Sequence, residues 1–337
     1  MPFRDVVGHT RIVSLLARAI ARETLPPSLL LAGTAGVGKR RVAMALAAAV
    51  NCPTPRTSDG LERDACGECP SCRRISRRVH PDVIVITPGD TGAIKIEAVR
   101  EVIDRSGYRP FEGRRRVVII DDAEALVPQA QNALLKTLEE PPSASVFLLI
   151  TASPDALLAT VRSRCPRLRF GDLAEADVAR VLVRDHEYAE GNARAAAALG
   201  EGSVGRALSA ESTGAEEARD TAVRLLQESA RATDATRLVE SVKGLVAKKG
   251  SSSGEREQLA AVLRVAASLL RDLGLLAVGA DAVTLANADV RSVLDGLTRA
   301  YDAPRSARAH AAVYRALDAL DRNASPKIVA DWLVLQL

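Results

Sequence analysis

The chain has 337 residues, of which 46 are Lys or Arg and 42 are Asp or Glu, so its formal net charge is only +4. So small a charge does not by itself indicate a nucleic-acid-binding protein, and one Trp, four Tyr and four Phe argue against a base-stacking single-strand-binding protein. The length predicts two or three domains, and no apolar run approaches the roughly 18 residues of a transmembrane helix.

The first half of the chain alternates apolar segments with segments of helical spacing. The predicted strands are Ser28–Ala32, Val83–Thr87, Arg116–Ile120 and Val146–Ile150, and a turn from Val161 leads into Arg167–Phe170. The predicted helices between them are Arg40–Val50, Ile96–Gly107 and Gln129–Glu139. Continuous apolar strands separated by helices are typical of a parallel sheet covered on both faces.

The rest of the chain is predicted to be helical. We place the α/β domain at residues 1–170, a small helical domain at 171–212 and a second helical domain at 213–337. Helical spacing of i, i+3, i+4 and i+7 predicts the buried face of a bundle at Leu259, Val262, Leu263, Ala266, Leu269, Leu270 and Leu273.

A phosphate-binding motif follows the first strand. Gly33-Thr-Ala-Gly-Val-Gly-Lys39 matches G-x-x-x-x-G-K, with Gly33, Gly36, Gly38 and Lys39 as the residues that would contact a nucleotide. The next residue should be a Ser or Thr that binds Mg²⁺, but it is Arg40, which has no acceptor atom. The loop therefore either binds nucleotide with one metal ligand missing or keeps its turn for packing alone.

An acidic pair follows the third strand. Asp121 is placed to hold Mg²⁺ through water, and Asp122 stands where a Glu usually orients the attacking water. Asp is one methylene shorter, and a displacement of about 1 Å can cost roughly 100-fold in rate. The alternative is that the pair is simply the N-cap of the next helix. Hydrolysis by this chain is disfavoured under either reading.

Four cysteines are clustered in the first half. Cys66-Gly-Glu-Cys69-Pro-Ser-Cys72 follows Cys52 by fourteen positions. Four thiolates suit a closed, structural Zn²⁺ site. Iron–sulfur ligation is the alternative, although the run lacks the C-x₃-C-P continuation of a ferredoxin. Cys165 stands alone and is predicted to be a small buried apolar residue.

An arginine-rich segment follows the last predicted strand. Thr160-Val-Arg-Ser-Arg164-Cys-Pro166 lies near the edge of the sheet where the strands end. An arginine there can stabilise a transferring phosphoryl group in a neighbouring subunit. The alternative is an ordinary solvated arginine.

These segments together resemble the clamp-loader family of AAA+ proteins. The resemblance runs from about residue 3 to 210 and rests on the loop at 33–40, the cysteine insert, Asn132-Ala-Leu-Leu-Lys-Thr-Leu-Glu-Glu-Pro-Pro142, Ser163-Arg164-Cys165 and Gly202-Ser-Val-Gly-Arg206-Ala-Leu208. It implies an AAA+ P-loop domain with a zinc module at 52–72, a small helical lid domain and a C-terminal helical collar. The implied zinc ligands are Cys52, Cys66, Cys69 and Cys72.

The resemblance also implies a role in DNA replication. It implies a cytoplasmic, replisome-associated subunit of the DNA polymerase III clamp loader. The implied partners are the gamma/tau and delta subunits and, through the complex, the beta sliding clamp and primed DNA, with no membrane. Arg164 would reach the ATP site of an adjacent gamma/tau subunit, and Arg206 matches the second sensor arginine. Arg40 and Asp122 favour a non-hydrolysing stator over an ATP-hydrolysing motor subunit, and leave ATP or ADP binding by this chain open.

Overall fold

The computed structural model describes residues 1–58, 60–89, 91–209, 215–231, 252–279, 285–287, 290–321 and 324–337. These residues form two compact units, one of Met1–His186 with Glu201–Gly205, the other of Glu187–Gly200 with Arg206–Leu337. Each unit has its own apolar core. Within the described ranges, no helix has both the length and the apolar character needed to cross a bilayer.

The first unit contains a five-stranded parallel sheet and a separate hairpin. Its strands are β1 (Ser28–Gly33), β2 (Arg56–Ser58), β3 (Leu61–Asp64), β4 (Val83–Ile86), β5 (Arg116–Ile120), β6 (Ser145–Thr151) and β7 (Arg167–Phe170). The order in the parallel sheet is β4-β5-β6-β1-β7, and β2 pairs with β3 in the antiparallel hairpin. The predicted parallel α/β sheet is confirmed.

Seven helices belong to this unit. They are α1 (Thr10–Ala21), α2 (Lys39–Asn51), α3 (Pro70–Ser76), α4 (Ile96–Ser106), α5 (Pro128–Glu139), α6 (Ala159–Arg162) and α7 (Glu175–His186). The four predicted strands and three predicted helices are all present, and their ends differ from the predicted ones by no more than one residue.

The sheet is buried on both faces because successive side chains of a strand point in opposite directions. Leu29 and Leu31 of β1 join one core with the apolar residues of α1, α2 and the cysteine insert. Leu30 and Ala32 join the other core with α4 and α5. This alternation explains why the central strands β1, β5 and β6 are apolar along almost their whole length.

The cysteine insert, residues 52–72, contains the β2–β3 hairpin, which the sequence pattern did not predict. The buried Asp64 at the end of β3 accepts hydrogen bonds from the backbone N–H of Phe3 at 2.6 Å and from the Arg4 guanidinium at 3.1 Å. Arg4 also donates to the carbonyl of Cys66 at 2.8 Å. The insert therefore holds the first residues of the chain in place.

A buried aspartate just before β4 organises the segment that leads into β5. The carboxylate of Asp82 accepts hydrogen bonds from the backbone N–H groups of Phe111, Glu112 and Gly113, at 2.7, 2.9 and 2.8 Å. It also accepts one from the Arg116 guanidinium at 3.2 Å. Burial acts to raise the pKa of Asp82, but these four hydrogen bonds outweigh it and lower that pKa.

Arg116 holds the other part of the same segment. Its guanidinium donates to the backbone carbonyls of Tyr108 and Arg109, at 3.1 and 3.2 Å, and to that of Arg105. The side chain is 9% exposed and that of Asp82 is fully buried. This pair therefore fixes the backbone of residues 107–113 from both ends.

The second unit is helical. Its helices are α8 (Glu190–Gly200), α9 (Val204–Ser209, which begins in the first unit), α10 (Ala215–Arg231), α11 (Ser252–Ala277), α12 (Arg291–Leu297), α13 (Ala303–Asp321) and α14 (Pro326–Val334). α11 packs against α10 and α13. The predicted face from Leu259 to Leu273 on α11 is buried in this core, as expected.

We expect Asp82→Asn to destabilise the first unit by about 3–5 kcal/mol, because the Arg116 charge stays buried without a counterion. The measurement is hydrogen exchange at the amides of Phe111–Gly113, together with thermal unfolding; the amides should exchange faster. Asp104→Asn, which changes an exposed aspartate on α4, is the control. Unchanged exchange at these amides would contradict the assigned role of Asp82.

The same carboxylate makes the stability of the first unit depend on pH in the acid range. The pKa of Asp82 is lower in the folded chain than its unfolded-state value of about 3.9, so the ionised carboxylate stabilises the fold. This stabilisation is present above the unfolded-state pKa and is lost as the pH falls through the folded-state pKa.

Candidate functional site

The predicted phosphate loop connects β1 to α2 and lies at the edge where the parallel strands end. Gly36 and Gly38 have φ of 76° and 100°, in the left-handed region that favours glycine. A Cβ on Gly36 would lie 2.4 Å from the Ser203 hydroxyl and 2.8 Å from Gly205. That hydroxyl donates to the Ala35 carbonyl at 2.8 Å. The loop is thus shaped by close packing against residues 203–205.

The Lys39 ammonium is directed at the carbonyls of its own loop. Its Nζ donates to the carbonyl oxygens of Gly33 at 2.6 Å and Thr34 at 2.8 Å. Burial lowers the pKa of Lys39, while the charges of Glu124, Asp122 and Asp121 act in the opposite direction. The lysine is therefore close to the acidic residues after β5, but its hydrogen bonds are made within the loop.

Arg40 forms an ion pair with Asp121. Its Nη1 lies 2.9 Å from the carboxylate Oδ2, and the Asp121 side chain is only 12% exposed. Strand β6 separates β1 from β5, so the pair spans the edge of the sheet. The residue that lacks a metal-binding hydroxyl thus supplies a positive charge to the carboxylate predicted to hold Mg²⁺.

Asp122 has φ of 52° and precedes a short 3₁₀ helix at Ala123–Ala125. Asp122 occupies the N-cap position of that helix, as the alternative interpretation has it, but its side chain makes no capping hydrogen bond. Burial, followed by the charges of Asp121 and Glu124, raises the pKa of Asp122. Three carboxylates therefore lie close to one another at this edge.

Two polar residues at this edge were not predicted from the sequence. Glu124 accepts a hydrogen bond from the backbone N–H of Ala152 at 2.9 Å, just beyond β6. The buried Thr151, at the end of β6, accepts one from the backbone N–H of Ser153 at 3.0 Å. Their position at the carboxyl ends of adjacent parallel strands is the signal that could have identified them.

Arg164 lies between α6 and β7 and is paired with the end of α5. Its Nε donates to the Glu139 carboxylate at 2.8 Å, and its Nη1 donates to the Thr160 carbonyl at 2.8 Å. The Ser28 hydroxyl donates to its backbone carbonyl at 2.9 Å, which attaches it to β1. The side chain is 30% exposed. These hydrogen bonds therefore hold the Arg164 side chain in a defined orientation at the protein surface.

Arg206, the other predicted site arginine, belongs to α9 in the second unit. Its sensor role stays a prediction.

The four predicted cysteines form one cluster. The sulfur atoms of Cys52, Cys66, Cys69 and Cys72 all lie within 4.8 Å of one another. Cys52 and Cys69 are 4.0 Å apart at sulfur, and Cys66 and Cys72 are 3.9 Å apart. A tetrahedral site with metal–sulfur bonds of about 2.3 Å places its sulfurs about 3.8 Å apart, so this geometry can hold a metal ion.

Backbone N–H groups surround the cysteine sulfurs. Cys66 donates from its backbone N–H to the sulfur of Cys52 at 3.3 Å, and Cys72 donates to that of Cys69 at 3.4 Å. Burial acts to raise the pKa of Cys66, but hydrogen bonds donated to its sulfur, including those from Cys69 and Glu68, lower it to about 6. Such donors stabilise the thiolate of Cys66, the form that binds metal, whereas burial raises the pKa of Cys69 and of Cys72.

Cys165 lies apart from this cluster. It is buried in the core on the α4–α5 face of the sheet, as predicted. Burial raises the pKa of its thiol to about 11.

Comparison with known proteins identifies the first half of the chain. Residues 8–174 match the family described as DNA polymerase III, delta subunit. This part of the chain belongs to that family. The delta' subunit of DNA polymerase III from Pseudomonas aeruginosa is 40% identical over 137 residues, which is 40% of each chain. The Haemophilus influenzae tau/gamma subunit is 37% identical over 180 residues, 53% of this chain and 25% of that one.

The chain thus spans between about a quarter and about half the length of these family relatives. Among solved structures, a gamma subunit-related protein from Thermotoga maritima aligns with 95% of this chain and 96% of its own. Its sequence identity is 20% and its TM-score is 0.41, too low to support a conclusion.

We expect Cys69→Ser to lower the bound metal and to destabilise the insert, because metal binding free energy is local folding free energy. The measurements are metal content by elemental analysis of the purified chain and its thermal unfolding. The matched control is Cys165→Ser, which changes a cysteine outside the cluster and should keep the metal. A metal-free wild-type chain whose insert is equally stable would contradict the assignment.

Proposed function

We propose that this chain is the delta-prime subunit of a bacterial DNA polymerase III clamp loader and acts there as a non-hydrolysing stator. Its partners are the gamma/tau and delta subunits and, through the complex, the sliding clamp and primed DNA. The family match and the delta' relative at 40% identity support the subunit assignment. The ion pair between Arg40 and Asp121 is the observation that carries the stator role.

The ion pair removes two requirements of hydrolysis at once. A transferring γ-phosphoryl group needs Mg²⁺ held by a loop hydroxyl and a strand-end aspartate. Arg40 replaces the hydroxyl, and its guanidinium already neutralises the aspartate. Lys39, which would contact the terminal phosphates, is hydrogen-bonded to Gly33 and Thr34. Arg40 and Asp121 are therefore paired with each other, and Lys39 is bonded to its own loop.

The second candidate is an ATP-hydrolysing motor subunit of the same complex. The relatives named tau and gamma favour it, since one from Escherichia coli is 39% identical over 163 residues. Arg40 and Asp122 argue against it, because neither residue supplies the group that the reaction needs.

Arg164 supports a role at a neighbouring subunit. Its partner Glu139 has a side chain 48% exposed, so the ion pair lies at the surface. Exposed pairs contribute about 0–1 kcal/mol, so a phosphoryl group of a neighbour can displace Glu139 at little cost. The Ser28 contact keeps the backbone of Arg164 in place meanwhile. We infer that Arg164 is an arginine finger supplied in trans.

The metal that the cysteine cluster fits is Zn²⁺. Four sulfur ligands without a further open position are typical of structural zinc. Elemental analysis of zinc and iron together tests this, because an iron–sulfur cluster would bring iron and sulfide instead.

We expect Arg40→Thr to give this chain Mg²⁺-dependent nucleotide binding, since Thr supplies the missing hydroxyl and frees Asp121. Titration with a fluorescent ATP analogue, with and without Mg²⁺, should show tighter binding by about tenfold, the affinity change of 1.4 kcal/mol. The matched control is Arg41→Thr, because Arg41 is paired with Asp185 instead. Robust ATP turnover by the lone wild-type chain would overturn the stator role and favour the motor subunit.

We expect Arg164→Ala to leave assembly intact and to lower DNA-stimulated ATP turnover of the reconstituted clamp loader. An arginine finger contributes about 10³-fold or more at the site that it completes. The measurements are gel filtration of the complex and its turnover with clamp and primed DNA. Arg162→Ala, which removes a neighbouring arginine paired with Asp155, should have no effect. Unchanged turnover in a fully assembled Arg164→Ala complex would remove the trans role.

A further inference from the structure

The α4–β5 loop, residues 107–115, is a surface segment that apolar packing does not hold in place. Its two aromatic side chains, Tyr108 and Phe111, are 74% and 82% exposed. Hydrogen bonds from the polar groups beneath the loop hold it instead. The Asp82–Arg116 pair makes some of them, and residues beside the cysteine cluster make the others. The loop and the cysteine insert are therefore in direct contact.

The first contact is made by Asn51, the last residue of α2, which directly precedes Cys52. The backbone N–H of Arg115 donates to the Asn51 side-chain oxygen Oδ1 at 3.0 Å. The Asn51 side chain lies so close to the loop that a Cβ on Gly113 would be 2.7 Å from the same oxygen. Asn51 is itself buried. A displacement of Cys52 would therefore move the group that accepts the hydrogen bond of the loop.

The second contact is made by α3, which begins directly after Cys69 and contains Cys72. Arg74 on this helix donates from Nε and Nη2 to the two carboxylate oxygens of Glu112, at 2.9 and 2.7 Å. A bidentate pair of this kind fixes the direction of both side chains. The helix has only seven residues, and isolated helices shorter than about 12 residues are marginal in water. The position of Arg74 therefore depends on what holds the two cysteines.

A buried histidine joins the same helix to the residue that holds the loop backbone. The Nδ1 of His80 accepts a hydrogen bond from the backbone N–H of Asp82 at 3.1 Å, so the neutral ring carries its proton on Nε2. That Nε2 lies 3.1 Å from the Ser71 hydroxyl, and the hydroxyl donates to the Asn51 carbonyl at 3.2 Å. One chain of hydrogen bonds therefore runs from Asn51 to Asp82 and passes between the cysteines of the cluster.

We propose that metal binding by the cysteine cluster sets the conformation of the α4–β5 loop. A bound ion fixes the positions of Cys52, Cys69 and Cys72 relative to one another. It thereby fixes their neighbours, Asn51 and α3, at the spacing that the contacts with the loop require. The cluster is thus a metal-dependent control of the order of this loop as well as a structural site for the insert.

This inference rests on metal binding by the cluster, which is part of the proposed function, and it does not depend on the clamp-loader assignment. The coupling is reciprocal by thermodynamic necessity. If the metal favours the ordered loop, the ordered loop favours the metal by the same factor. A metal site that stabilises the insert alone has no such effect. The affinity of the cluster for metal therefore reports on the contacts with the loop.

The first test is hydrogen exchange of the full chain, measured by mass spectrometry with bound Zn²⁺ and after its removal by a chelator under reducing conditions. Peptides covering residues 109–115 should exchange faster in the metal-free chain by about fivefold or more, the lower end of the usual coupling factors. Peptides from α5, on the other face of the sheet, and from α11, in the second unit, are the internal controls and should not change.

The second test reads the coupling in the reverse direction. Glu112→Ala removes the carboxylate that Arg74 binds but leaves all four cysteines in place. It should weaken Zn²⁺ binding by about threefold, as expected for loss of a partly exposed ion pair. The measurement is competition with a chromogenic chelator. The matched control is Glu101→Ala, which removes an exposed carboxylate of α4 and should bind Zn²⁺ as wild type does. Equal affinity of the Glu112→Ala and wild-type chains would overturn the coupling.

The outcomes separate this inference from the metal assignment. A wild-type chain that binds no Zn²⁺ would overturn both. A chain that loses its Zn²⁺ while residues 109–115 exchange at an unchanged rate would overturn the inference alone. Faster exchange throughout the first unit, with α5 included, would show that the metal holds the whole unit together and would overturn a specific link to the loop.

Discussion

The parallel sheet imposes one constraint on which the first unit depends. Its five strands must all end at the same edge, because their directions are the same. That edge therefore collects the phosphate loop after β1, Asp121 after β5 and Thr151 at the end of β6. Residues that are far apart in the sequence, such as Arg40 with Asp121 and Glu124 with Ala152, become neighbours through this geometry.

The opposite edge is organised differently. There the chain enters β4 and β5, and the backbone between α4 and β5 has no strand to pair with. The Asp82–Arg116 pair supplies the missing hydrogen-bond partners from inside the protein. One edge of the sheet thus holds charges close to solvent, while the other uses buried charges to shape a surface loop. Charged groups have a structural role at both edges.

Much of the first unit could be predicted because its strands are continuously apolar and its helices have clear periodicity. The cysteine spacing predicted the cluster, and Arg40 stood out against the motif. The β2–β3 hairpin was missed because Arg56–Ser58 is short and polar, with no apolar alternation. The role of Asp82 was missed because a single aspartate before a strand looks like any turn residue. Composition counted the aromatic residues, but it could not show that Phe111 is exposed.

The ion pair at the phosphate loop also differs from a metal site in its equilibrium. A bound Mg²⁺ exchanges with solvent, so its occupancy follows the free concentration of the ion and of chelating nucleotides. The guanidinium of Arg40 is attached covalently to the chain and has no such dissociation. The charge opposite Asp121 is therefore set by the protein sequence, and changes in the magnesium concentration leave this contact as it is.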